Sequence, residues 1–446
     1  MSHITLLGAG LTGPLLAIYL ARRGHRVDVY ERRPDMRVID IGGGRSINLA
    51  LSTRGIHALE QIGVAAEVLG DAIPMSGRMI HALDGSLDLQ PYGKEGEAIN
   101  SISRSGLNIE LMNAAERAGG ITLHFDARCE RVDLEAKRLH LVNDATGERW
   151  SVDAEILIGT DGSGSALRQS MEEQLPEFDS RVEWLEHGYK ELEIPAGADG
   201  AFLMEKNALH IWPRHEFMMI ALPNPDGSFT CTLFAPFAGE DGLDSIVSDD
   251  DVMAYFRKYF PDAIPMMPTL IQDWQRNPTS KLATVYSDPW YHQDWALLLG
   301  DSAHAIVPFY GQGMNACFED CLVLDRILSE IGDEEWGESI RTFYERRKID
   351  TDAIASLALQ NFVEMRSRVV DPLYLRRKKI DGALNEMFPQ HWMPLYSMVT
   401  FSTIPYATAL ERSRRQDALL EKVGYDEIEQ AIANGPEAAG TLLGIL

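Results

Sequence analysis

Residues 4–13, ITLLGAGLTG, constrain the fold more than any other stretch of the chain. A short apolar run meets G-x-G-x-x-G and continues as PLLAIYLARRG, whose apolar spacing is helical. Pro14 suits a first helical turn and Gly24 a helix stop. RVDVYE then alternates as a strand and ends on Glu31. This is a βαβ opening in which each glycine is used differently. Gly8 allows the tight turn, Gly10 the close approach to a pyrophosphate, and Gly13 the helix–sheet packing. Leu11 and Thr12 complete the turn. The helix start offers free N–H groups to phosphates. Glu31 suits ribose hydroxyls and repels a 2′-phosphate, so the resident dinucleotide is FAD or NAD rather than NADP.

Two further strand ends repeat the theme. IGTDGSGSALR carries Asp161-Gly162 with Arg168 beyond, and LLLGDSAH carries Asp301, followed by PFYGQGMN and a helical run. A nicotinamide dehydrogenase needs one such opening, whereas this chain has three. The order resembles that of the FAD-dependent aromatic hydroxylases, the single-component flavoprotein monooxygenases. The fold this implies is α/β: a Rossmann-like FAD-binding domain of the aromatic hydroxylase type, an inserted antiparallel β-sheet substrate domain and a C-terminal helical region. The expected boundaries are 1–72, 97–172 and 282–330 for the discontinuous FAD domain, 73–96 and 173–281 for the substrate domain, and 331–446 for the helices. LDGS within 72–93 predicts a hairpin, 104–118 a helix, WSVDAEILIG a strand, and 180–285 a β-rich, aromatic-rich layer.

GRSINLALS (44–52), GRMIH, QPYG, HGYKEL, LHIWPR, AHAIVPFYGQGMNA and YSMVTFS (396–402) narrow the resemblance to the kynurenine 3-monooxygenases within that class. Tyr310 departs from the family pattern. The resemblance implies tightly bound, non-covalent FAD, NADPH as transient co-substrate without a second Rossmann domain, O₂, and L-kynurenine as the substrate hydroxylated at ring position 3 through a flavin C4a-hydroperoxide. Another aromatic acid is the alternative substrate. It carries Arg32, Ala50, Arg104, Cys129, Asp301, Gly313, Met314 and Asn315 over as cofactor contacts. It assigns Arg78, Tyr92, Asn361 and Tyr396 to the substrate, and it requires no catalytic side chain because the chemistry centres on the flavin. Alone, Arg78 reads as a surface arginine. Asn361 is informative by itself, because an amide among Leu357, Ala358 and Met365 on an apolar helix face needs a partner. Phe309, Tyr310, Phe234 and Phe237 are candidate walls of an apolar site, and His304 is weighed as a base and set aside.

With 67 Asp+Glu against 41 Lys+Arg, the formal net charge is −26. That disfavours nucleic acid and anionic lipid as partners and leaves self-association open. Four scattered cysteines are no disulfide scaffold, and the i,i+4 pair Cys317 and Cys321 reads as core. No metal motif, signal peptide or membrane anchor is seen, so the expected compartment is the cytoplasm.

Overall fold

The computed structural model describes residues 1–38 and 48–445. The 44–47 part of the GRSINLALS motif lies outside them. The chain forms two compact units. The first comprises 1–73, 100–188 and 279–355, the second 74–99, 189–278 and 356–446.

The first unit is built on a six-stranded sheet. Its order is Tyr291–His292, Ala296–Leu298, Ile156–Gly159, His3–Leu7, Arg26–Tyr30 and Ile121–His124. All neighbours are parallel except the edge pair Tyr291–His292 with Ala296–Leu298. Strands Ile156–Gly159 and Ala296–Leu298 read as continuous apolar runs because both faces are covered, and Ile4, Leu6, Val27, Val29, Leu157 and Leu297 are fully buried. From His3–Leu7 the chain passes through helix Thr12–Arg22 to the strand on one side, while Ile156–Gly159 lies on the other. The carboxyl ends of these strands therefore border a topological switch point, where open α/β sheets bind ligands. WSVDAEILIG forms two strands, Arg149–Asp153 and Ile156–Gly159, in different sheets, rather than the single strand expected. The helix at 104–118 falls on the expected residues.

The second unit contains successive strands Asp179–Ile194 (its later part), Phe229–Pro236, Phe217–Pro223, Ala208–Arg214, Gly77–His81 and Leu87–Pro91. The expected hairpin is present as Gly77–His81 against Leu87–Pro91. Two expectations need correction. The sheet is mixed, since Gly77–His81 runs parallel to Ala208–Arg214, as a strand that enters the sheet from a distant part of the chain is free to do. The region to 285 is also not wholly β: Asp249–Tyr259 and Leu270–Arg276 are helices. Ser248 and Asp251 form a capping box, with three aspartates in the first turn. Trp212, Met219, Phe229, Phe256, Phe260 and Leu270 make one core of this unit. A smaller one joins Ile380, Leu384, Trp392, Leu420 and Ile428 of the C-terminal helices. Among the described residues no helix is long and apolar enough to cross a membrane, and no acidic, His or Cys cluster is arranged to hold a metal ion.

Candidate functional site

In the first unit, four adjacent parallel strands end on the groups singled out in the sequence. Gly8 follows His3–Leu7, Glu31 follows Arg26–Tyr30, Asp161 follows Ile156–Gly159 by two residues, and Asp301 follows Ala296–Leu298 by three. The glycine turn is close-packed. A Cβ on Gly8 would lie 2.7 Å from the Thr160 carbonyl oxygen, and one on Gly13 would lie 2.0 Å from the Gly8 carbonyl oxygen. A Cβ on Gly10 would meet no protein atom within 4 Å. Gly8 and Gly13 are thus demanded by packing, whereas Gly10 leaves its backbone open to a ligand. Leu11 caps helix Thr12–Arg22.

Glu31 is buried, and its carboxylate accepts from the Ala9 N–H at 2.7 Å and from Arg33 Nε at 2.7 Å. Lone pairs remain for a ribose. Asp161 accepts from the Ala166 N–H through Oδ2, while its buried Oδ1 has no protein partner. Burial pushes the Asp161 carboxyl above the usual range, with Ser165 opposing. Asp301 opens the single turn Asp301–His304, and Cys317 Sγ lies 3.5 Å from its Oδ1. Gly313, Met314 and Asn315 start helix Gly313–Ile331. The Asn315 side chain braces the loop: its amide donates to the Ala50 and Gly311 carbonyls and its oxygen accepts from Ser52 N–H. Arg32 and Arg104 are exposed. Cys129 sits in strand Arg128–Asp133, its thiol pushed up to about 12 by burial and by Asp161. Cys317 and Cys321 are buried, free thiols.

In the second unit, Arg78 is buried on strand Gly77–His81, with a side chain only 4% exposed. Its Nη1 donates to Glu364 Oε1 at 3.1 Å. The guanidinium lies 5.4 Å from the Tyr92 ring and 5.0 Å from the Tyr396 ring, and these two rings stack at 5.0 Å. Tyr374 donates its hydroxyl to the same Glu364 oxygen. Asn361 is buried one helical turn before Glu364, with Nδ2 3.4 Å from Met365 Sδ. The structure therefore draws Arg78, Tyr92 and Tyr396 together, with Asn361 and Glu364 three residues apart on one helix. Phe309 and Tyr310 are buried in a short turn of the first unit, and Phe234 in a strand of the second.

A model of the FAD binding domain family matches residues 2–355. The kynurenine 3-monooxygenase of Myxococcus xanthus is 49% identical over 421 residues, covering 94% of this chain and 90% of the relative. That of Flavobacterium johnsoniae is 46% identical over 444 residues, covering 99% and 98%. The chain belongs to the kynurenine 3-monooxygenase family. It is an FAD-dependent monooxygenase. Among solved structures, the tetrameric form of 2-methyl-3-hydroxypyridine-5-carboxylic acid oxygenase aligns with a TM-score of 0.67 at 22% identity, covering 84% of this chain and 95% of that one. Pseudomonas aeruginosa PqsL in complex with 2-aminobenzoylacetate aligns at 0.65 and 18%, covering 82% and 97%. Both share the fold.

As a member of this family the chain uses FAD, and the residues present suit it. The open backbone at Gly10 and the unpartnered Asp161 oxygen are what a bound dinucleotide would engage. Sequence reasoning missed two residues that shape this cradle. Asn108 donates to the Ala9 and Gly10 carbonyls at 3.0 and 3.2 Å, and the Thr160 hydroxyl donates to the Leu7 and Gly8 carbonyls. It also missed Glu364, Tyr374 and Lys378 around Arg78. Burial works against the Arg78 charge, but Glu364 outweighs it and holds the group firmly protonated. Burial raises the phenols of Tyr92, Tyr374 and Tyr396, so all three are neutral donors. Burial, then Arg78, pushes the Lys378 ammonium down to about 8. The only available signal for Glu364 was its place one turn beyond Asn361.

His304 is no candidate base. It is buried with Nε2 2.6 Å from Asp320, which Arg347 also holds.

Proposed function

We propose that the chain hydroxylates L-kynurenine at ring position 3, consuming NADPH and O₂ and releasing 3-hydroxykynurenine, NADP⁺ and water. The first unit carries FAD and the second the substrate's amino-acid head. Bound FAD supplies electron transfer from NADPH and activation of O₂. Gly10, Glu31, Asp161 and Asp301 would hold it, Gly10 by backbone approach and the three acids by hydrogen bonds to hydroxyls.

The observation that carries the substrate assignment is the pairing of buried Arg78 with the partly exposed Glu364 among three neutral phenols. A zwitterionic α-amino acid presents a carboxylate and an ammonium a few ångströms apart, and this pair offers each its counter-charge. Arg78 takes the carboxylate with the unpartnered Tyr92 hydroxyl, and Glu364 takes the ammonium. A simple aromatic carboxylate would gain Arg78 but face Glu364 uncompensated, at a desolvation cost. That selects against hydroxybenzoate-like acids. The aniline nitrogen already activates the ring, so orientation and exclusion of water are what the side chains must provide.

The test is NADPH oxidation by the purified yellow protein with and without L-kynurenine, with product analysis by mass. Stimulated oxidation yielding 3-hydroxykynurenine supports the proposal. Stimulation yielding only peroxide makes kynurenine an effector, and absence of stimulation refutes the substrate assignment.

A further inference from the structure

Strand Leu87–Pro91 is built inside out. Leu87 is 60% and Leu89 50% exposed, while Gln90 is buried at 7%. A half-buried strand ordinarily turns its apolar side chains inward, so core packing does not explain a glutamine there. A buried side-chain amide also needs a partner for each of its two ends.

One end is accounted for. Gln90 Nε2 donates to Asp88 Oδ2 at 2.9 Å and to the Val369 carbonyl at 3.1 Å. A carboxylate and a carbonyl only accept, which fixes the nitrogen on that side and the oxygen on the other. Gln90 Oε1 is buried and receives no hydrogen bond from the protein.

Gln90 stands directly opposite Arg78 in the antiparallel pair of strands Gly77–His81 and Leu87–Pro91. Opposed residues carry their side chains on the same face, with Cβ atoms roughly 5 Å apart. Tyr92 extends the pairing through its N–H to the Ser76 carbonyl, and its ring lies 5.4 Å from the Arg78 guanidinium. Residues two apart share a face, so Gln90 and Tyr92 both flank Arg78. Arg78 Nε is likewise buried without a protein partner. An orphaned donor and an orphaned acceptor thus stand on facing residues without satisfying each other. A ligand that carries an acceptor and a donor close together completes both.

An α-amino acid is such a ligand, with its carboxylate and ammonium on one carbon. The ammonium has three N–H donors, and each must be met once water is excluded. Glu364 Oε1 already accepts from Arg78 and Tyr374, so a second acceptor for the ammonium is needed beside it.

We propose that Gln90 is a specificity-determining residue for the substrate head: its Oε1 accepts an N–H of the α-ammonium, together with Glu364. This rests on the reading of Arg78 as the carboxylate anchor. An acid without the ammonium gains nothing from Gln90, because an amide oxygen rewards only a donor.

The test uses the FAD-loaded enzyme, its Gln90→Met variant and two ligands: L-kynurenine and the analogue in which hydrogen replaces the α-amino group. Methionine keeps the length of the side chain and removes the amide. The dissociation constant of each ligand is read from its perturbation of the flavin spectrum, with kcat, KM and FAD content measured in parallel. Gln90→Met should weaken kynurenine about tenfold, the order of one hydrogen bond to a charged group, and leave the analogue within about twofold. KM should rise with the dissociation constant while kcat and FAD content stay near wild type. Equal weakening of both ligands would reduce Gln90 to a brace for Asp88 and Val369 and overturn the proposal, as would unchanged binding of both. Should Gln90→Met not fold, Gln90→Asn keeps the amide and draws its oxygen back by one methylene. It must then show the same selective loss, and a loss shared by both ligands, or none, overturns the proposal. If wild type binds the two ligands equally, no ammonium is read and the proposal falls. If wild type neither binds nor oxidises kynurenine, the substrate reading itself fails and takes the proposal with it.

Discussion

Arg78→Gln separates the proposed carboxylate anchor from a merely structural ion pair. Arg78 donates to Glu364, and its buried Nε has no protein partner and is available to a ligand. A carboxylate gripped by a buried guanidinium gains charge-assisted hydrogen bonds of ~1.5–3 kcal/mol each. Taking about 3 kcal/mol for a bidentate pair gives a loss of about 150-fold in kcat/KM. Glu364 competes for the same cation in the free enzyme, which lowers the figure toward about tenfold. Folding should suffer less, because the Glu364 side chain is 27% exposed and keeps the Tyr374 hydrogen bond. The assay is steady-state NADPH oxidation against kynurenine concentration, with FAD content measured in parallel and the decarboxylated amine as a second substrate. Wild type should lose most of its efficiency on the amine, and Arg78→Gln should lose almost nothing further. Equal losses on both substrates, or a change under threefold on kynurenine, would refute the assignment.

Three further outcomes follow from the geometry. Gly13→Ala should yield no folded holoprotein, because the new Cβ would sit 2.0 Å from a carbonyl oxygen, whereas Gly10→Ala should fold with a wild-type far-UV spectrum yet fail to retain FAD in ultrafiltration. Asn108→Ala removes two hydrogen bonds from the glycine turn; at ~0.5–1 kcal/mol apiece, FAD should bind about 5–30-fold more weakly by fluorescence titration. Lys378 has a folded-state pKa of about 8, below its unfolded value, so between those two values the unfolded chain binds more protons and stability rises with pH. Lys378→Met should therefore raise Tm at pH 7 and flatten the rise above pH 8 in a thermal series.

The glycine turn and the strand-end acids were legible because their rules are local. A glycine turn between strand and helix, and an acid at a strand end, are imposed within about a dozen residues, and the sheet only gathers them side by side. The helices Asp249–Tyr259 and Leu270–Arg276 were not singled out in the β-rich region because their aromatics, such as Phe256 and Trp274, resemble those of the neighbouring strands. The capping box at Ser248 and Asp251 was the local signal to the contrary. Glu364 could not be found that way. Its meaning comes from Arg78, 286 residues earlier, and no spacing rule links a strand near the start of the chain to a helix near its end.

That contrast has a physical basis. A dinucleotide is held largely by backbone groups, and backbone conformation is written in nearby residues. An amino-acid head is held by paired charges, and a buried pair is tolerable only when each charge meets a counter-charge. Such pairs are supplied by tertiary contacts between distant segments. Arg78 with Glu364 meets that requirement. Changing Glu364 should consequently disturb the handling of the substrate head far more than the retention of FAD.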